Sequence, residues 1–530
     1  MYVGQELGNF VAGLYPDAPS LAQAARDSLL EQTLPAAGAW NAAWGGASAL
    51  PQWMRDLLMN SVSYQFKMTV WVAAGSDGAR HPEELPLGRF RQFEAYSGCD
   101  LGPVHVLDYS MIPLALYFPE LLQNEITTGW AVRQQPGGMV EEFLGDFSAP
   151  GGRLTGEMDL SSGGRVMGDV STVFILASLA CFRATNDTEF VRGIWGNLTR
   201  AARWQMGTAE ALGCPAHLQT TYDYLGLDAY PVIPYNAFLH NAAMRAVVVL
   251  AGLVGDGTTL ASDAARSEIA CAATLERELW SQSGGFWRAY STGPDQIMAG
   301  SLHGQSWASF LGLGLLAPLA NISSHTAAET AHNCAYNRTT CPQGLLTLPE
   351  RAGTWTRDAS PSMNMDATVG RLLSGMGGFE GSHAETMVRL YRDIHADFWD
   401  WKDLHMGPAG YSCGADLSGQ ALAGQPFVNA HYARHVQAWA AFLVASGQQT
   451  VSGGLVFTPR CFPEGWLGVG VGARTSYPFF TPTALGLLHI TWPAGARLEV
   501  LSGSVLQAKV HFDQCSGPSK ESPSIIMVII

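Results

Sequence analysis

The sequence predicts an all-α fold: an (α/α)6 toroid with short β segments at its N- and C-terminal ends. Three observations lead there. Helical patterns recur every few tens of residues and come close to a dozen, in pairs. Some, such as "NAFLHNAAMRAVVVLAGL", are apolar all round, whereas others, such as "ASDAARSEIACAATLERELW", keep a polar face. The loops between them are rich in Gly and Pro and carry many of the aromatic and acidic residues. Buried inner helices wrapped by amphipathic outer ones account for the two kinds of helix. In such a toroid the loops at one end of the inner helices form a funnel able to hold a ligand.

In chain order the helices are expected at 20–33, 53–66, 109–133, 169–184, 188–207, 234–253, 260–280, 303–317, 325–336, 366–376, 382–398 and 426–446. Residues 65–93, beginning "QFKMTVWVAA", can hold strands. From "LVFTPRCF" onward the chain turns to β-branched residues with Gly/Pro turns and reads as strands. The division is therefore an N-terminal segment 1–50, the toroid 51–447 and a β-rich segment 448–530. The final "SIIMVII" is too short to span a bilayer and fits an edge strand or an artefact of the gene model.

Of 530 residues, 47% are hydrophobic and only 14% charged, with a formal charge of -15 and a pI near 5.3. Without a Lys/Arg cluster, this balance argues against a nucleic-acid surface. Few charges beside 16 Trp, 16 Tyr and 22 Phe suit a neutral, partly apolar partner such as a sugar. The nine cysteines show no zinc spacing, and their odd number argues against a complete disulfide framework. Sequons stand at Asn186, Asn197, Asn321 and Asn337, permitting glycosylation if the chain takes the secretory route. The first residues lack the basic start and apolar run of a signal peptide, which leaves the compartment open.

Two acids stand out by context. Glu94 lies in "RFRQFEAYSGCD" and Asp223 in "TTYDY", each on a loop leading into a helix. A carboxylate among Tyr222, Tyr224 and Tyr230 would be partly desolvated, which raises its pKa and suits a general acid. A second carboxylate that stays ionised could then act as nucleophile, as in retaining glycosidases. On these residues alone, helix capping is the commoner role for Asp223, and Glu94 is as readily an exposed loop acid. Asp108 and Asp169 look like N-caps, Arg434 like a structural ion-pair partner, and His303 and His431 like satisfied polar residues at helix ends.

Taken in order, the segments resemble glycoside hydrolase family 116, which includes the non-lysosomal glucosylceramidases or bile acid β-glucosidases. The resemblance runs from about residue 50 to about 447. It is carried by "RFRQFE" with "VLDYSMIPLALYFPELLQNEI", "GDVSTVFILASLACFRATNDTEFVRGIW", "TTYDYLGLDAYPVIPYNAFLHNAAMRAVVVLAGLVGD", "GQSWASFLGLG", "GGFEGSHAETMVRLYRD" and "HYARHVQAWAAFLVASG". It implies Glu94 as nucleophile and Asp223 as acid/base, with Asp108, Asp159, Tyr222 and Arg434 contacting substrate. Asp100 is the reserve nucleophile, because "AYSGCDLGPVHVL" holds extra residues between Glu94 and Asp108. The family's Pro-His-Asp sugar-binding triplet stands here as "EMD", with Met158 replacing His; one sugar-contacting arginine falls at Val428, and a neighbouring glutamate has only Asp416 as a distant counterpart. The family's N-terminal β-sandwich is missing from this chain.

The resemblance thus implies a retaining β-glycosidase acting on β-glucosides or glucosylceramide-like glycolipids, without metal or cofactor. It also implies a cytoplasmic or membrane-peripheral location, with peripheral membrane association and no transmembrane segment. A catalytically silent sugar-binding or scaffold toroid, an inverting α/α glycosidase, and a glycosidase of other sugar specificity are the rival expectations.

Overall fold

The structure, a computed structural model, describes residues 15, 17–62, 64–72, 88–94, 100–146, 166–222, 225–334, 344–349, 361–394, 403–405, 425–428, 433–451, 454–459, 474–491, 495–505, 507–511 and 526–528. It is largely helical with some strands. Helices α1 (Ala18–Ser28) and α2 (Leu34–Gly45) lead into α3 (Gln52–Ser61). Two strands follow, β1 (Thr69–Val72) and β2 (Arg89–Gln92), paired antiparallel from Thr69↔Gln92 to Val72↔Arg89.

Beyond them the helices alternate in character. Helices α4 (Met111–Tyr117), α6 (Val170–Thr185), α8 (Pro234–Val254), α10 (His303–Phe310), α12 (Pro361–Leu373) and α14 (Ala438–Ser446) are mostly or wholly buried. Their chain neighbours bury fewer residues: α5 (Pro119–Glu125), α7 (Trp195–Ala209), α9 (Leu260–Thr274), α11 (Leu319–Asn333) and α13 (His383–Ile394). Contacts run from α4 to α6, α6 to α8, α8 to α10, α10 to α12, α12 to α14, and from α14 back to α4. Helices α7, α9, α11 and α13 lie against this circuit, and α3 touches both α13 and α14. The split into apolar and amphipathic helices is thus a split into two layers.

Local chemistry sets the helix ends. Helix α8 begins at Pro234, whose missing N–H is lost where it is not needed, and ends at Gly255 with φ 69°. By length and composition α8 would also cross a membrane, yet it is largely buried at the centre of the inner layer. The helix expected over 109–133 is broken at Phe118, because Pro119 opens α5. The one expected over 303–317 stops at Phe310: Gly312 and Gly314 adopt φ 66° and 82°, which end a helix readily.

The β-rich tail makes a three-stranded antiparallel sheet, Arg474–Thr481, Ala484–Thr491 and Gly495–Gly503. A second sheet carries the C-terminal Ile526–Val528 as its edge strand against Ala508–Val510. Phe480 of the first sheet stacks on Trp44 at 5.2 Å and meets Trp40, Tyr117, Trp439 and Phe442. Backbone bonds reinforce the join, with Ala49 N–H donating to Ser476 O at 3.0 Å. One aromatic cluster therefore links α2, two inner helices and the tail.

Where α10 crosses α8 the backbones touch at Gly304, whose added Cβ would lie 2.2 Å from the Phe238 carbonyl carbon. Gly304→Ala should destabilise the protein by about 1–3 kcal/mol in equilibrium denaturation, since neither helix can yield a side-chain end. Gly252→Ala, on the exposed side of α8 with open space around it, should instead stabilise by roughly 0.5–1 kcal/mol. Equal effects of the two changes would contradict this crossing.

Candidate active site

The polar residues of the interior gather where the inner helices begin. Asp169 immediately precedes α6, Tyr235 lies in the first turn of α8, and His303 opens α10. Asp366 sits one turn into α12, and Arg434 lies in the 3₁₀ turn Ala433–Gln437 that runs into α14. Helix N-termini carry partial positive charge and spare N–H groups, a setting that favours carboxylates.

His303 is wholly buried between two acids. Its Nε2 lies 2.6 Å from Asp108 Oδ2 and its Nδ1 3.0 Å from Asp366 Oδ2. With a carboxylate at each ring nitrogen, both nitrogens donate and the ring is an imidazolium. Burial alone disfavours that charge; the charges and hydrogen bonds of Asp366 and Asp108 outweigh it and raise the pKa to about 10. Ser306 and Gln437 donate to Asp366 Oδ1 at 2.6 and 2.9 Å. The Tyr235 ring stacks on the imidazole at 5.6 Å and 5°, and Tyr109 approaches it at 4.7 Å. Burial raises the Asp108 pKa and His303 opposes the rise. Its Oδ1 is buried with no hydrogen-bond partner among the described residues.

A second set lies beside the first. Arg434, 3% exposed, donates from Nη2 to Thr221 O and Thr221 Oγ1, both at 2.7 Å, and its guanidinium lies 4.8 Å over the Tyr222 ring. Thr221 N–H donates to Asp169 Oδ2 at 2.7 Å. Desolvation lifts Asp169 to about 8, against that hydrogen bond and with help from the Asp108 charge. Asp169 Oδ1 also has no hydrogen-bond partner among the described residues. Tyr222 is fully buried, with Oη 3.3 Å from Ser362 Oγ.

Glu94 ends the stretch that begins with β2, and it is half-buried. The outer edge of β2 is held largely by side chains of α5, with Gly102 N–H donating to Gln92 O at 2.8 Å beside an antiparallel bridge between Phe93 and Leu101. Asn124 Oδ1 accepts from Phe90 N–H at 2.9 Å, and Glu125 accepts from Gln92 N–H at 3.0 Å and from Gln92 Nε2 at 2.7 Å. Burial pushes Glu125 up to about 7, so near neutrality it is partly protonated. Tyr64 donates to Phe93 O. Burial, and then the charges of Glu125 and Glu94, keep this phenol protonated well above its usual range. Glu94 O accepts from Ala433 N–H at 3.1 Å, which sets Glu94 one residue from Arg434.

The expected site residues thus converge in part. Glu94, Arg434, Tyr222, Asp169, Asp108 and His303 belong to one connected set, with Thr221 joining Arg434 to Asp169. Asp223, Asp159, Met158, Asp416 and His431 lie outside the described residues. For Asp100 and Val428 only the backbone is described: Asp100 pairs with Asp146 and Val428 with Asp403. The Tyr230 ring stacks on Tyr290 at 4.0 Å.

Two capping expectations fail. Asp108 closes the one-turn helix Val104–Leu107 and turns its carboxylate to His303. Asp169 stands at the N-cap position, yet its carboxylate reaches Thr221 rather than α6. Asp366 and Thr221 went unseen in the sequence. Ser362, Asn364, Asp366 and Thr368, alternate residues in the first turns of a helix whose intervening residues are apolar, were the available signal for Asp366. No signal marks Thr221.

Among the described residues no group of three His, Cys, Asp or Glu side chains is placed to hold a metal ion. A cavity of about 610 Å³ lies among the C-terminal ends of α10, α12 and α14, lined by Gly312, Leu319, Leu373, Val444 and Gly447 among others; none of the expected site residues lines it.

No protein-family model matches the chain, and no curated protein matches it. Among solved structures it is similar to a GH78 family rhamnosidase of a Bacillus species (TM-score 0.47, 13% identity), covering 74% of this chain and 37% of that one. It is also similar to a GH63 mannosylglycerate hydrolase from Thermus thermophilus. In complex with glucose the values are TM-score 0.44, 13% identity, and 66% and 95% of the two chains. In complex with Tris they are 0.44, 12%, and 73% and 99%. The chain spans little more than a third of the rhamnosidase's length. At this distance the neighbours are likenesses only, and what the site does rests on its own residues.

The buried titrating groups give stability a pH dependence with a definite sign. Asp169 and Glu329, both raised to about 8, and His303, raised to about 10, keep protons in the fold that an unfolded chain has released. Buried His105, His240 and His325, lowered to about 3, and His383, lowered to about 4, act in the opposite sense, but only below the ordinary histidine pKa of about 6.5. From about pH 7 to about pH 10 the folded state therefore binds more protons than the unfolded one, and stability must fall. The thermal midpoint should be lower near pH 9 than near pH 7; a rise over that interval would exclude a protonated interior.

Proposed function

We propose that the chain is a glycoside hydrolase on an (α/α)6 toroid, of the family 116 kind, that cleaves β-glucosides or glucosylceramide-like glycolipids with retention. The observation that carries this reading is the tie at Arg434. Its backbone neighbour Ala433 holds Glu94, and its side chain holds Thr221, two residues before Asp223. Glu94 and Thr221 thus meet the neighbouring residues Ala433 and Arg434, and this supports reading Glu94 and Asp223, 223 − 94 = 129 positions apart, as a pair.

In this mechanism the Glu94 carboxylate attacks the anomeric carbon as the glycosidic bond breaks. Asp223, protonated, gives its proton to the leaving oxygen. Water then attacks the same carbon, its proton passes to Asp223, and Glu94 is released as carboxylate. Retention requires the two carboxyl groups about 5–5.5 Å apart, whereas inversion requires about 6.5–9.5 Å. Asp108 and Asp169 supply buried carboxyl oxygens suited to accept from sugar hydroxyls. Arg434 and Tyr222, both buried and engaged, act by holding the Asp223 loop in place.

That engagement also favours a second reading, a toroid that binds sugar without turning it over. With Arg434 committed to Thr221, and with Met158 and Val428 where the family has its histidine and another arginine, few cations remain for sugar hydroxyls. The two readings part on a panel of aryl β-glycosides, because a binding protein shifts its thermal midpoint without forming product.

Incubation with a 2-deoxy-2-fluoro β-glucoside followed by peptide mapping should place the label on Glu94. Label on Asp100, or anywhere else, would overturn the assignment. Asp223→Asn should lower kcat/KM by about 10²–10⁴-fold on alkyl glycosides that need leaving-group protonation. Activated aryl glycosides should suffer much less, and equal losses on both would remove Asp223 from the acid role.

A further inference from the structure

Two features far from the site bear on where this chain matures. Cys214 and Cys271 form a disulfide, with Cα atoms 4.5 Å apart, that fastens the turn after α7 to α9 across 57 residues of sequence. Cys334 is disulfide-bonded as well, to a cysteine outside the described residues. Protein disulfides of this structural kind persist in oxidising compartments and are rare where glutathione keeps thiols reduced.

The second feature is the contrast between two sequons. Asn186 is the residue past the end of α6, in the left-handed region at φ 57°, with its backbone N–H bonded to Phe182 O. It is exposed, and its side-chain amide makes no hydrogen bond among the described residues. Asp187, next in the sequon, caps the following short helix, so the chain turns sharply and presents Asn186 at a corner. Asn197 is the reverse. Half-buried, it uses both amide hydrogens, donating to Ala131 O at 2.7 Å and Gln134 Oε1 at 3.0 Å, while Gln134 Nε2 donates to its backbone carbonyl. The same turn is held by Arg200 on Gln134, with Gly138 against the Arg200 carbonyl. An N-linked sugar replaces one of the two amide hydrogens. Asn186 can lose one at no cost to the fold, whereas Asn197 would lose a bond and open the seam between α7 and the 131–139 turn.

We infer that the chain matures in an oxidising, glycan-adding compartment and carries an N-glycan on Asn186 while Asn197 stays bare. The position is compatible with an active protein. Asp169 belongs to the site at one end of α6 and Asn186 lies at the other, roughly 24 Å away at 1.5 Å per residue. A glycan there projects from the face opposite the site.

The full chain, led into the secretory lumen of a eukaryotic cell by an added signal sequence, should be secreted. After glycan release in heavy-oxygen water, peptide mapping should show Asn186 converted to labelled Asp and Asn197 unchanged. A non-reducing digest should contain the Cys214–Cys271 cross-linked peptide. Thr188→Ala, which removes the sequon but keeps Asn186, should lose the mass of one glycan and still be secreted. An unmodified Asn186, an occupied Asn197 in folded secreted chain, alkylatable thiols at Cys214 and Cys271, or wild-type chain retained in the cell would each overturn the inference. The mapping reads modification and not turnover, so its failure leaves the glycosidase reading standing.

Discussion

The imidazolium of His303, held between Asp108 and Asp366, is the interaction on which the interior depends. Several carboxyl groups converge where the inner helices begin, in a region with little access to water. Carboxylates so placed cannot all stay charged without a cation among them. His303 supplies that cation on the first turn of α10 and touches acids that belong to two other parts of the chain, the approach to α4 and the second turn of α12. The tyrosines fill in around it, with Tyr235 stacked on the imidazole and Tyr109 tilted against it. Because three segments must agree in position before the pair of bonds can form, the clamp fixes how the inner helices meet as well as how they are charged. Removing one partner of such a buried pair costs about 3–5 kcal/mol.

From that anchor the remaining polar contacts extend outward by single steps. Arg434 reaches Thr221, Thr221 reaches Asp169, and Ala433 reaches Glu94. Glu94 in turn depends on β2, a strand whose outward N–H groups at Phe90 and Gln92 are taken by Asn124 and Glu125. Helix α5 thus acts as a template for the segment that presents Glu94. Half of the arrangement is carried by side chains bonding to backbone, which makes it specific to these residue types and indifferent to the apolar packing around them.

Much of this fold was legible in the sequence because the two layers differ in composition. Helices such as α8 and α14 are apolar on nearly every side, and that pattern leads in a globular protein to burial, largely for α8 and fully for α14. Helix α2 escaped notice because "LPAAGAWNAAWG" contains Pro and two Gly and shows no polar face; aromatic packing of Trp40 and Trp44 on the C-terminal sheet compensates for its weak propensity. Helix α11 begins six residues before the expected 325, since "LANISSH" carries no strong start signal. In the site, acids near helix starts could be found, but their partners could not. Asp169 resembles a cap in sequence because capping is a local pattern, whereas its bond to Thr221 spans 52 positions and is set by tertiary structure alone. The same holds for Asp108 and His303, 195 positions apart.

Helix α8 has a consequence that appears only when synthesis is considered. Its 21 residues emerge before α10, which will cover one side of it, has been made. Until then they have the length and hydropathy of a membrane-spanning segment. Arg245, one place beyond the helix midpoint, opposes insertion, because an arginine at the centre of a bilayer costs about 2.5–3.5 kcal/mol. In the finished protein the same guanidinium pairs with Glu268 and donates to Leu313 O and Leu315 O. The residue that fastens α8 to its neighbours is thus also the one charge that the segment would have to carry into a bilayer.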